Sequence, residues 1–163
     1  MSEHTLVEVT AAIVASWSRE TCYARDDYVE RGRLGDRSRG QCGTTALVLN
    51  DFLGGDLIVA DVFADGQKDG VHYWNRLPDG RAVDLTGNQF QANEILGASS
   101  ELSRPPGPPI KGLAQYLLLS DRVASVLRDS IAIVLGSQDP PYKSEASRLN
   151  EPLQSVVERT STI

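Results

Sequence analysis

The order of apolar and polar residues divides the chain into helix-like and strand-like stretches. Leu6, Val9, Ile13 and Val14 recur at helical spacing, which predicts an amphipathic helix over Leu6–Trp17. From Ser16 to Gly40 the chain is polar and rich in Arg, Asp and Gly. It reads as a long loop with a short helix, and long loops in compact domains are often functional. From Ala46 to Leu53 apolar positions nearly encircle a helix, the mark of a buried one. Gly54-Gly55 supplies its stop.

Strand-like patterns follow. Asp56–Phe63 reads as a strand, with a turn at Ala64-Asp65-Gly66. Gly70–Arg76 and Arg81–Leu85 read as two more strands around Leu77-Pro78-Asp79-Gly80, where Pro, Asp and Gly are hairpin chemistry. With that loop Leu77 faces Arg81, and paired residue numbers sum to 158. Trp74 then faces Asp84, and His72, Trp74 and Asp84 share one sheet face. Val71, Tyr73, Val83 and Leu85 fall on the other face and read as core. Thr86–Lys111 reads as loop, with a short helical stretch at Ala92–Leu96 and a stiff connector at Arg104-Pro-Pro-Gly-Pro-Pro109. Tyr116–Leu119 reads as a last short strand and Asp121–Leu135 as a helix. The segment 136–163 is a polar extension. The pattern predicts one α+β domain over 1–163, its core at about 5–135.

Composition narrows the function classes. At 163 residues the chain has length enough for a core without disulfide or metal staples. No run approaches the ~20 apolar residues of a membrane span. Sixteen basic against 22 acidic residues leave a formal charge of −6, unsuited to a general nucleic-acid binder. The opening Met1-Ser-Glu-His-Thr is no secretory signal, so the expected compartment is the cytoplasm, with both cysteines as thiols. Neither a Cys-x-x-Cys pair nor a His cluster is present, so no metal or cofactor is expected.

Three residues stand out chemically. Cys42 heads the buried helix, where the helix N-terminus favours a thiolate, and Gly40 and Gly43 beside it leave space for a substrate. An isolated cysteine is more often a small buried hydrophobe. Of the two histidines, His4 lies near the chain start, so His72 is the candidate base. Asp84, diagonal to His72 on the same face, is within reach to orient the imidazole. Trp74 is a candidate substrate platform, though packing is its commoner use. Arg31, Arg33, Arg37 and Arg39 precede Cys42 and suit an anionic group, but Asp26, Asp27, Glu30 and Asp36 balance them as a solvated loop would. Cys22 is a conceivable redox partner for Cys42, or a structural thiol.

The order of Cys on a helix start, His on a strand and Asp on the next antiparallel strand resembles the papain-like thiol hydrolases, including transglutaminase-like and NlpC/P60-type domains. More narrowly, Trp17-Ser18, Thr21, Gln41-Cys42, Thr45-Ala46, Gly54-Gly55, His72-Tyr73-Trp74-Asn75, Asp84-Leu85-Thr86 and Gln89-Phe90 resemble the small bacterial YunG-like family. The narrow resemblance covers residues 10–90 and implies a papain-like core with a Cys42-His72-Asp84 triad. Papain-type sites often carry an oxyanion-binding Gln several residues before the Cys. Here Gln41 adjoins it, so the expected donors are the Cys42 N–H with Gln41 first and Tyr23 second. Tyr23, Trp74 and Asn75 are the expected substrate contacts. The expected function is a cysteine hydrolase or acyltransferase acting on a small-molecule or peptide-like amide, thioester or related acyl bond. The alternative is a non-catalytic binding or accessory protein on the same fold, and the polar tail with its Pro-rich connector leaves room for a homodimer.

Overall fold

The computed structural model describes residues 4–136. The expected polar extension lies outside the described residues. Among the described residues four α-helices and a four-stranded antiparallel sheet make an α+β fold. Helix α1, Leu6–Ser16, begins in a capping box between Thr5 and Glu8. A 3-10 turn at Arg19–Thr21 and the short helix α2, Asp26–Glu30, punctuate the expected loop. Helix α3 spans Cys42–Leu53. It stops where Asn50 donates to the carbonyls of Gly54 (3.1 Å) and Gly55 (3.0 Å). Gly55 has φ +89°, and a Cβ there would lie 2.1 Å from the Arg76 carbonyl oxygen, so only glycine fits.

Strands β1, Asp56–Ala64, and β2, Gln67–Arg76, form a hairpin. Its tip residues, Asp65 and Gly66, both take positive φ, as a tight two-residue hairpin turn demands. Beyond β2 the Pro78-Asp79-Gly80 loop closes as its residues dictate. Leu77 N–H donates to the Arg81 carbonyl at 2.8 Å, and Gly80 sits at φ +86°. Strand β3, Ala82–Val83, pairs Asn75 with Val83 and Arg76 with Ala82, the register that sums to 158. It is shorter than Arg81–Leu85, because Asp84 turns its carboxylate back onto the Thr86 N–H (3.0 Å) and ends the ladder. Val83 and Leu85 border the core as expected, whereas Val71 is exposed.

Two elements differ in type from expectation. The stretch read as a helix at Ala92–Leu96 leads into strand β4, Glu94–Leu102, which pairs with β1. Sheet order is β3-β2-β1-β4. The apolar run Tyr116–Leu119, read as a strand, belongs to helix α4, Leu113–Gly136. Leu119, Val123 and Leu127 are buried at four-residue intervals along it. They meet Val9, Ile13 and Trp17 of the α1 segment and Val48 and Leu49 of α3 in one core. The other side of α3 packs on β2, where Asn75 donates to the Ala46 carbonyl at 2.9 Å. The helix carrying Cys42 is thereby held between a helical pair and the sheet.

Candidate functional site

Cys42 is the first residue of α3 and is half-buried. Its sulfur lies 3.9 Å from the Val71 carbonyl oxygen on β2. No side chain caps the helix start, so N–H groups beside the sulfur are without a side-chain acceptor. The preceding turn is fixed from behind. Gly40, at φ +76°, would place a Cβ 2.6 Å from the Ala24 methyl and 2.7 Å from the Cys22 sulfur. Gly40 thus serves close packing of the loop, not substrate access. Gly43 is the open one, with its nearest neighbour, the Tyr73 ring, 4.0 Å from where a Cβ would stand.

His72, 1% exposed, brings its ring to this point from β2. Its Nε2 lies 2.8 Å from Asp84 Oδ2, and the Cys42 thiol is near enough to favour the charged ring. Trp74 stacks on the imidazole at 5.4 Å between centroids, and Phe90 meets it edge-on at 4.8 Å. Burial is the largest single influence and pushes the imidazole down. The hydrogen bond to Asp84 and the nearby Cys42 and Asp84 charges outweigh it, and the ring is raised to about 9. The Asp84 carboxylate is itself held by Thr86, whose N–H (3.0 Å) and hydroxyl (3.3 Å) donate to Oδ1.

Other sequence candidates have different jobs. The Gln41 carboxamide is buried away from bulk solvent. It donates to the Ser18 carbonyl (2.7 Å) and accepts from the Thr21 hydroxyl (3.1 Å), so it braces α3. Asn75 is 2% exposed and spent on Ala46, so it is no substrate contact. Tyr23 lies against Gly112 at the start of α4 and is exposed. The arginines are staples. Arg31 bridges to Asp69, Arg33 donates to the Asn88 carbonyl, and Arg37 donates to the Ala15 and Trp17 carbonyls. Arg39 is sealed against Glu94. Cys22 is buried and free, its sulfur turned to the carbonyls of Gly40 (3.3 Å) and Arg39 (3.6 Å). Burial pushes its thiol up, which disfavours a redox partner.

One residue had no role assigned from sequence. Gln89, 1% exposed, places Nε2 3.2 Å from His72 Nδ1 and 3.0 Å from the Thr86 carbonyl, while its Oε1 accepts from the Gly40 N–H at 3.0 Å. The only signal for it was its presence in the Gln89-Phe90 motif. Cavities of about 500 Å3, beside Arg33 and Asp36, and about 540 Å3, beside Asp51 and Arg104, are not lined by Cys42, His72 or Asp84. Among the described residues no cluster of His, Cys, Asp and Glu is placed to hold a metal ion, and no helix is long and apolar enough to cross a membrane.

Compared with known families, residues 5–128 match the family model described as YunG protein. No curated protein and no solved structure matches the chain.

Proposed function

The chain belongs to the YunG family, and from that premise we propose that it is a cysteine-nucleophile hydrolase or acyltransferase on a papain-like core. The observation that carries this reading is the His72 ring held at 2.8 Å by Asp84, with the Cys42 thiol near enough to favour its charged form. In the reaction His72 takes the thiol proton, and the sulfur attacks the carbonyl carbon of an amide, thioester or related acyl substrate. Nε2 is engaged by Asp84, so Nδ1 receives the proton. The uncapped start of α3 offers the Cys42 N–H to the developing oxyanion. His72 returns the proton to the leaving amine or thiol, and the acyl group stays on sulfur until water or a second nucleophile removes it. Trp74, stacked on the His72 ring, suits a small or peptide-like acyl group. The reaction requires neither metal nor organic cofactor, and the proposed compartment is the cytoplasm.

Iodoacetamide labelling followed by peptide mass spectrometry tests this. Cys42 is expected to label at neutral pH at least about tenfold faster than Cys22, and His72→Ala is expected to slow Cys42 by a similar factor. Labelling at an ordinary thiol rate, unchanged by His72→Ala, would instead favour a non-catalytic binding or accessory protein on the same fold.

A further inference from the structure

We propose that Gln89 is a positioning residue that keeps His72 Nδ1 an acceptor and drives an acquired proton off the ring, an inference that rests on His72 being the base. The argument begins with the orientation of its carboxamide. The Gly40 N–H can only donate, so the atom 3.0 Å from it must be oxygen. The Thr86 carbonyl can only accept, so the atom 3.0 Å from it must be nitrogen. A flipped amide would set two donors and two acceptors against each other. The nitrogen is therefore the atom 3.2 Å from His72 Nδ1, and it donates. Nδ1 must then offer its lone pair, and the ring proton resides on Nε2, pointing at Asp84.

Protonation changes this balance. When the Cys42 proton arrives on Nδ1, the ring becomes an imidazolium, the sulfur a thiolate, and the new Nδ1–H confronts the Gln89 N–H. Two donors now face each other in a buried site, which costs free energy. The titratable groups facing His72 are Asp84, just after β3, and Cys42, at the head of α3, and both favour the charged ring. Gln89, on the turn after Asp84, pulls the other way and favours passing the proton on to the leaving group. Through Gly40 it also ties the ring to the loop that places the nucleophile.

Nitrogen-15 spectra of the full chain test the assignment. Above the ring's titration midpoint the wild type is expected to show hydrogen on Nε2 and a bare Nδ1. Gln89→Met removes the donor, and Gln89→Glu replaces it with an acceptor. The midpoint of His72 is expected to rise by roughly half a unit to one unit in Gln89→Met, and further in Gln89→Glu. A side chain that only held the ring in place would give the opposite result, because a loosened ring loses Asp84 and its midpoint falls. Hydrogen on Nδ1 in the wild type, or a midpoint unchanged or lowered in both variants, overturns the proposal. If both midpoints rise while Cys42 labelling ignores His72→Ala, the assignment of Gln89 stands and the catalytic reading falls.

Discussion

At the scale of single residues, the site depends on a buried imidazole whose neighbours favour its charged form. The ordinary histidine value of 6.5 is raised to about 9 in the fold. A group raised on folding stabilises the protein fully below its unfolded value and loses that contribution as pH rises through its folded value. The window for His72 therefore runs from about 6.5 to about 9. Asp84→Asn removes one of the two partners that raise the ring. We expect this variant to be less stable than the wild type by roughly 1–2 kcal/mol below pH 6.5, with the gap closing above pH 9. Urea unfolding across that range measures it. A gap that widened with pH would mean that Asp84 does not hold the protonated ring.

At the scale of elements, the turn after β3 leaves little room beside the site. A Cβ on Gly87 would stand 2.9 Å from Asp84 Oδ2 and 3.2 Å from its Cγ. That carboxylate cannot swing aside cheaply, because His72 and Thr86 both hold it. Gly87→Ala is expected to displace Asp84 and slow Cys42 labelling by about tenfold, with a stability loss of roughly 1–2 kcal/mol. Gly70→Ala is the control. Nothing lies within 4 Å of its added carbon, and the substitution should be neutral or slightly stabilising. The hairpin that brings Asp84 to His72 was legible in the sequence, because Pro78-Asp79-Gly80 dictates one loop and that loop dictates the register. The head of α3 and its Gly54-Gly55 stop were legible for the same kind of local reason. Strand β4 was not. Its residues are mostly exposed, with no apolar alternation, and pairing with β1 rather than propensity makes it a strand. Tyr116–Leu119 misled because a short apolar run fits either period until Val123 and Leu127 extend the helical one. Gln89 escaped a role because its partners, Gly40 and His72, are distant in sequence, and only the folded chain brings them together.

At the scale of the whole molecule, the loop that delivers Cys42 is fastened to the far edge of the sheet by one buried ion pair. Arg39 forms a two-pronged bridge to Glu94 at 2.6 and 2.7 Å, with side chains 1% and 2% exposed. The guanidinium also donates to the carbonyls of Tyr28 and Gln89 and lies 3.7 Å above the Tyr28 ring. Glu94 accepts from the Gln91 N–H as well, so the pair is well satisfied. Such a pair often contributes no more than a well-packed apolar substitute, but losing one member strands a buried charge. Glu94→Gln keeps the shape and removes the negative charge, and it is expected to cost about 3–5 kcal/mol in urea unfolding. Joint replacement by Arg39→Met and Glu94→Leu should recover much of that loss, because no charge is left buried. Cys42 labelling should nevertheless be slower in the double variant than in the wild type, because the Tyr28 and Gln89 carbonyls lose the guanidinium that ties them to the loop. A double variant as unstable as Glu94→Gln would show that packing around Arg39, not its charge, holds the loop to the sheet edge.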